Sequence, residues 1–187
     1  MKKIILLAIL VSGFMSAAFA QKKFQFESQF HAGMMEGERG TSLQLLTING
    51  FQKGRWFTGL GTGFDWYHLR SVPLFLSVNH RFYKGERGLF AAVDGGVSFP
   101  WGRKRDLIQN GLIADKFKPA PYWTTSLGYR VLLKNKKDAF LLSAGYSFKQ
   151  INEEQVKPTI CGFTSCSISE FYTYKFKRLS FRLAWVF

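Results

Sequence analysis

Large apolar side chains alternate with small or polar ones along most of the chain, and a repeat of two residues is the period of a β-strand. The clearest stretch is RWFTGLGTGFDWY, residues 55–67. One face of this stretch carries Trp56, Thr58, Leu60, Thr62, Phe64 and Trp66. The other face carries Phe57, three glycines and Asp65. Because the same contrast recurs along the chain, the sequence predicts an all-β protein.

The length of the large apolar face indicates what it packs against. Trp56 and Trp66 lie ten residues apart on this face, which corresponds to about 33 Å along a strand at ~3.3 Å per residue. With a strand tilt of ~40°, the height becomes about 25 Å, the apolar band of an outer-membrane barrel between its two aromatic girdles. We therefore expect the large side chains to face lipid and the small and polar ones to fill the interior.

Eight segments with this alternation can be counted, and an even number lets a barrel close with both termini on one side. They span residues 24–35, 41–52, 55–67, 72–83, 88–100, 121–133, 138–151 and 172–187. The connectors 53–55, 84–88 and 134–137 are tight, whereas 101–120 and 152–171 are long. The sequence thus predicts a closed, eight-stranded, antiparallel up-and-down transmembrane β-barrel with a filled interior. In the second segment, LQLLTING changes phase near Leu46, which favours a bulge there.

The first twenty residues, MKKIILLAILVSGFMSAAFA, have the pattern of a cleaved export signal. Two lysines precede an apolar run, and the stretch ends on the small-x-small triplet Ala18-Phe19-Ala20. We therefore divide the chain into a signal peptide, 1–20, and a barrel domain, 21–187. Removal of the signal lowers the formal charge from +14 to +12, because it contains two lysines and no acid. A basic exported chain meets membrane phosphates, so we expect no nucleic-acid partner.

The signal, the eight alternating segments, the uneven connectors and the terminal Phe187 resemble the small outer-membrane β-barrel proteins of the OmpX and OmpA-domain type. The resemblance covers the whole mature chain and is architectural. It implies a location in the outer membrane of a Gram-negative bacterium. It also implies that the last strand is the signal read by the barrel-assembly machinery, through Phe181, Leu183, Trp185 and Phe187.

Charged residues on the interior face form the first candidate site. They are Glu27, Asp65 and Asp94, with Arg81, Arg130, Lys149 and Arg182. An unpaired charge in a poorly hydrated interior costs several kcal/mol, so we expect these residues to pair in a structural network. A proton or ion path is the alternative, but side chains just fill a barrel of eight strands. We assign the glycines of GLGTG, residues 59–63, to the same narrow interior, because no helix follows them as a nucleotide site requires.

Cys161 and Cys166 are the only cysteines of the chain. Exported thiols meet an oxidising compartment, so we predict a disulfide that closes a small surface loop. A zinc site would need two further ligands, and no histidine lies in this segment. We therefore assign no metal and no cofactor.

Hydrolysis of lipid A would require a histidine beside a serine and an acid near the outer leaflet. His31 and His68 are expected toward the loop side, with Ser71 nearby, but their spacing matches no motif. His80 is expected on the lipid face beside Phe82. We predict no catalytic residue, and a lipid A-modifying enzyme stays an alternative.

Basic residues expected at the outer rim are candidate contacts to lipopolysaccharide. They are Arg103, Lys104, Arg105, Lys175 and Lys177. At headgroup level these cations would meet lipopolysaccharide phosphates. The alternative is that long cationic side chains only extend to water.

The favoured function is that of a non-enzymatic surface barrel whose long loops interact with the envelope or with an external partner. The connector 101–120 favours a protein partner because apolar residues lie among its charges: Leu107, Ile108, Leu112 and Ile113. The alternatives are a lipid A-modifying enzyme and a small-molecule channel.

Overall fold

A computed structural model describes residues 24–83, 85, 87–101, 113–134, 138–161 and 164–187, with the backbone alone for 113–116 and 155–168. Within these ranges the chain forms nine strands. They are β1 (Gln25–Gly37), β2 (Gly40–Lys53), β3 (Trp56–Asp65), β4 (Ser71–Arg81), β5 (Arg87–Pro100), β6 (Ile113–Lys118), β7 (Ala120–Leu132), β8 (Ala139–Cys161) and β9 (Thr164–Val186). The export signal predicted for residues 1–20 lies outside the described residues.

The strands form one closed antiparallel sheet. Pairing of β9 with both β8 and β1 closes it. β6 and β7 both pair with β8 and are separated only by Pro119, so they are two pieces of one wall strand. The wall therefore has eight strands, and the predicted fold is confirmed. We call the end of the barrel with Gln25 and Phe187 the inner end, and the end with the β8–β9 turn the outer end.

The prediction of a long loop over residues 152–171 is wrong. β8 and β9 stay paired without a register shift from Ala139↔Val186 to Cys161↔Thr164. The two strands satisfy each other's backbone hydrogen bonds beyond the barrel wall, so the segment needs no other support for its polar backbone. β1 ends at Gly37, opposite Arg178, and the β8–β9 hairpin therefore projects past its neighbour at the outer end.

The bulge predicted near Leu46 is also wrong. β2 pairs with β1 and with β3 without a register shift. Leu46 and Ile48 instead point into the barrel, where they pack with Phe57, Phe75 and Tyr122. The change of phase in the sequence marks an apolar layer of the interior, and the backbone of β2 is regular.

Large apolar side chains cover the outside of the wall. Leu60, Leu127 and Leu142 are 65, 67 and 63% exposed, and the tryptophans and phenylalanines of the same face are also exposed. A continuous apolar surface of this size is unfavourable in water and suits the hydrocarbon core of a membrane. Within the described residues, there is no helix of the length and apolarity that crossing a bilayer requires.

Side chains fill the interior in three apolar clusters. The inner cluster is Phe90, Ala92, Ala139, Leu141, Ala184 and Val186; the middle one is Leu46, Ile48, Phe57, Phe75 and Tyr122; the outer one is Met35, Tyr67, Ile151 and Phe176. Glycines on the inner face of β3 make room for the aromatic rings. A Cβ atom on Gly61 would lie 2.3 Å from Cζ of Phe75. The barrel is therefore a packed core enclosed by a lipid-facing wall.

Candidate functional site

Two of the three interior carboxylates form ion pairs at the inner end and in the middle of the barrel. Glu27 accepts from Arg81 at 2.8 Å and from Arg130 at 3.1 Å. Asp94 accepts from Arg182 at 2.8 Å and from the hydroxyl of Ser77 at 2.7 Å. The structure thus brings together these residues from strands that are far apart in sequence.

The third carboxylate, Asp65, binds two cations near the outer end. Its oxygens lie 2.7 Å from Arg178 Nη1 and 3.6 Å from Lys149 Nζ, and all three side chains are buried. Arg178 also donates to the hydroxyl of Ser147 at 2.9 Å. Arg178 is not among the interior charges predicted from the sequence, although it lies four residues before Arg182 on the same inward face of β9. Continuing the alternation of inward-facing residues along β9 toward the outer end identifies Arg178.

The connection between β3 and β4 folds inward and closes the outer end. Lys149 donates to the carbonyl oxygens of Tyr67 and Leu69 at 3.1 and 3.0 Å. Asp65 accepts from the N–H of Tyr67 at 2.8 Å, and the Tyr67 hydroxyl accepts from the N–H of Arg39 at 2.8 Å. The buried ion cluster therefore holds this connection in place. We call the connection, residues 66–70, the Tyr67 plug.

His68 forms the tip of the Tyr67 plug, with a left-handed φ of 59°. Its ring centroid lies 5.0 Å from that of Phe176 and 6.2 Å from that of Tyr174, both on the β8–β9 hairpin. Burial lowers the pKa of His68, and the positive charges of Arg39 and Lys149 lower it further. A neutral imidazole thus packs the plug against the hairpin at pH 7.

A cavity of about 550 Å³ lies beside the Tyr67 plug. It is lined by Phe64, Asp65, Trp66, His68, Leu69, Arg70, Ser71 and Trp101. It coincides with an interruption of the β3–β4 ladder between the pairs Thr62↔Leu74 and Asp65↔Ser71. Pro73 lies in the interruption and has no N–H to donate there.

The cavity brings together the residue types of a hydrolase triad, His68, Ser71 and Asp65. However, Asp65 is already bound to Arg178 and to the N–H of Tyr67. The hydroxyl of Ser71 has no hydrogen-bond partner within the described residues, so His68 is not placed to take its proton. A nucleophile needs a base within hydrogen-bond reach, and this arrangement lacks one.

The other two histidines are also placed by packing. His31 was expected at the loop side, but it is buried in the interior opposite Ala184, with Nε2 3.0 Å from Oε1 of Gln29. His80 lies on the outside, with its ring 4.4 Å from Trp56 and 5.0 Å from Phe82. No group of His, Cys, Asp and Glu in the described chain is arranged to hold a metal ion.

Lys175 and Lys177 lie exposed on the outward face of β9 at the outer end. Lys177 is paired with Phe148 of β8, whose ring stacks on Trp123 at 5.9 Å. Lys175 lies two residues further out, paired with Gln150. In the described residues neither lysine has a carboxylate within ion-pair distance. Two ammonium groups without a carboxylate partner in the described residues therefore lie at the outer margin of an aromatic cluster of the wall, one level with it and one further out.

The remaining predicted site residues lie on the outer face of the barrel, on the β8–β9 hairpin, or outside the described residues. Phe181, Leu183, Trp185 and Phe187 are all exposed on the outside of β9, and their role in assembly stays a prediction. Cys161 is paired with Thr164 and Cys166 with Thr159 across the β8–β9 hairpin, so the disulfide also stays a prediction. Arg103, Lys104, Arg105, Leu107, Ile108 and Leu112 lie outside the described residues, and Ile113 is described by its backbone alone.

The comparisons with known proteins agree with the closed barrel. No protein-family model and no curated protein matches the chain. Among solved structures, the outer membrane protein OprG from Pseudomonas aeruginosa matches 89% of this chain and 97% of its own, with a TM-score of 0.53 and 10% identity. The outer membrane protein AlkL matches 88% of this chain and 87% of its own, with a TM-score of 0.43 and 14% identity. With its closed ladder, its apolar outer wall and this likeness, the chain has the fold of the small eight-stranded outer-membrane β-barrels.

Proposed function

We propose that this protein is a non-enzymatic outer-membrane barrel that binds the phosphate groups of lipopolysaccharide at its outer rim. The observation that carries the proposal is the position of two exposed lysines: Lys177 lies level with the Phe148–Trp123 cluster, and Lys175 lies two residues further out. Aromatic residues of such barrels lie at the membrane interface, so the next residues outward reach headgroup level. Phosphates are the charge partners available there.

The spacing of the two lysines favours a bound anion over two independent cations in water. Residues two apart on a strand lie about 7 Å apart, where two like charges repel by roughly 0.6 kcal/mol in water and by more beside lipid. A phosphate between Lys175 and Lys177 replaces this repulsion by two attractive contacts. The absence of a carboxylate partner within the described chain leaves both ammonium groups available for it.

Replacing both lysines, Lys175→Gln and Lys177→Gln, is expected to weaken lipopolysaccharide binding. A cation near an anionic lipid surface contributes about 1 kcal/mol, so the double variant should lose about 2 kcal/mol of binding free energy. The measurement is titration of lipopolysaccharide into the barrel held in nanodiscs. The difference from wild type should fade in 1 M salt, where the screening length is about 3 Å.

The matched control removes two lysines from the opposite rim, Lys53→Gln and Lys134→Gln, both exposed in inner-end turns or strand ends. This control has the same net charge as the test variant, but it should keep wild-type affinity because its two lysines lie at the opposite rim. Dephosphorylated lipid A should bind wild type and test variant equally. Equal loss in the two double variants would contradict the proposal, because binding would then depend on net charge alone.

The filled interior leads to a prediction that separates this function from a channel and from an enzyme. Three apolar clusters and buried ion pairs occupy the interior of the described barrel. We expect no conductance steps from wild-type protein in planar bilayers, and we expect the mass spectrum of lipid A to be the same with and without the protein. Reproducible conductance would favour the channel, and a change in lipid A mass would favour the enzyme.

A further inference from the structure

The outer part of β9 has an open edge. β9 pairs with β1 only from Arg178↔Gly37 to Val186↔Gln29. Beyond Arg178, β9 stays paired with β8 along its opposite edge, up to the pair Cys161↔Thr164. In the part of the chain that the structure describes, no strand pairs with the β1-side edge of residues 164–177. We call this stretch the open β9 edge.

The backbone groups that point to the open β9 edge can be assigned from the barrel seam. The N–H and C=O of Phe187 exchange two hydrogen bonds of 2.9 Å with Ser28, at the start of the β1–β9 ladder. Neither ladder of β9 has a register shift, so the backbone direction alternates strictly along the strand. The residues whose N–H and C=O face the open edge are therefore Ser165, Ser167, Ser169, Phe171, Thr173 and Lys175.

The outer part of this edge, from Thr164 to Tyr174, lacks the features that usually keep sheet edges from pairing. Edge strands are commonly protected by lysine, proline, bulges or shortness. Between Thr164 and Tyr174 the sequence has no proline and one charged residue, Glu170. The β8–β9 ladder beside it is free of bulges over its whole length. A long, regular edge of this kind is a template for an added strand.

We propose that the open β9 edge binds an extended segment of another protein, which adds to the sheet as an antiparallel strand outside the membrane. The proposal goes beyond the proposed function: Lys175 belongs to both sites, but the rest of the edge lies further out along β9. The side chains of the edge indicate the chemistry of the segment. On the outward face Phe171 favours an apolar or aromatic cross-strand neighbour, and Lys175 favours an acidic one.

The membrane argues against a second copy of this chain as the occupant. Two barrels in one membrane hold their β9 strands in the same direction, related by a two-fold axis along the membrane normal. That symmetry would set each residue opposite its own copy in a parallel pair. In a parallel ladder, however, a residue forms its hydrogen bonds with the residues just before and just after the one opposite it, while that opposite residue directs its N–H and C=O away. A two-fold axis would make both opposite residues point the same groups toward each other, so a regular parallel ladder cannot form. A partner segment that is free to orient has no such restriction.

The test uses proline and alanine at the same position, Thr173→Pro and Thr173→Ala. Proline removes an N–H that faces the open edge and leaves the β8 ladder intact, because Thr173 does not direct its N–H toward β8. Both variants lose the hydrogen bond from the Thr173 hydroxyl to Asn152, so they differ only in the backbone group and ring. The probe is a phage library of linear 12-residue peptides, selected on the wild-type barrel in nanodiscs.

The selected peptides should alternate in polarity and should bind Thr173→Ala like wild type. They should bind Thr173→Pro about tenfold more weakly, since one edge hydrogen bond is lost and the added strand is disturbed. Heat-modifiable gel migration should show that both variants are folded. Failure to select any peptide, equal binding to both variants, or edge-to-edge dimers cross-linked through Thr173→Cys would each overturn the proposal.

Discussion

Replacing Asp65 by alanine is expected to destabilise the folded barrel by about 3–5 kcal/mol, because the substitution leaves two buried cations unpaired. Asp65 is bound to Arg178 at 2.7 Å and to Lys149 at 3.6 Å, and it also accepts the N–H of Tyr67. The Tyr67 plug should therefore loosen together with the wall. The measurement is urea unfolding in lipid vesicles, followed by tryptophan fluorescence.

A matched control and a charge-free variant show whether burial of unpaired charge is the cause. Glu154→Gln removes the carboxylate of the Lys118–Glu154 pair, whose lysine side chain is 56% exposed, and should cost less than about 1 kcal/mol. Asp65→Leu combined with Lys149→Met and Arg178→Met should recover much of the lost stability. A small effect of Asp65→Ala, or no recovery in the triple variant, would contradict this account of the cluster.

Gly96→Ala is expected to be the most harmful of the conservative glycine substitutions in β5. A Cβ atom on Gly96 would lie 2.1 Å from the carbonyl oxygen of Leu74 and 2.6 Å from Cα of Phe75. These are backbone atoms of β4, so the strands must separate to make room, at a cost of about 1–3 kcal/mol or more. The measurement is the temperature at which unboiled protein loses the gel mobility of its folded form.

The neighbouring Gly95 provides the control for this substitution. No heavy atom lies within 4 Å of a Cβ atom built on Gly95, which is exposed on the lipid side. Gly95→Ala should therefore leave stability unchanged or raise it by a few tenths of a kcal/mol up to about 1, because alanine restricts the unfolded chain. Similar losses of stability in Gly95→Ala and Gly96→Ala would mean that strand propensity, and not the close approach of β4, determines the effect of the Gly96 substitution.

The wall of the barrel could be predicted from local pattern alone. Which face a residue occupies depends on the period of two along its own strand, so Trp56, Leu60 and Trp66 were assigned correctly to the lipid side. The pattern failed where the interior is itself apolar. Leu46 and Ile48 face Phe57 and Phe75 inside the barrel, and in the sequence their apolar character resembles the phase change of a bulge.

The β8–β9 hairpin shows a second limit of local pattern. Outside the membrane both faces of a strand can be polar or aromatic, so the alternation that marked the wall fades over residues 152–171. The segment is a strand because its partner strand continues beside it. Edge pairing depends on two segments at once, and a single sequence window does not contain that information.

By itself, the sequence determined the number of wall strands, the lipid-facing side chains and the presence of interior charges, because these follow from residue type and a period of two. Only the tertiary structure decided which charges meet. Asp65 and Arg178 are 113 positions apart, and Glu27 and Arg130 are 103 apart. Closure of the sheet brings such residues to one level of the interior and packs the Tyr67 plug there, whereas the open β9 edge arises because β1 ends at Gly37 while β8 and β9 continue.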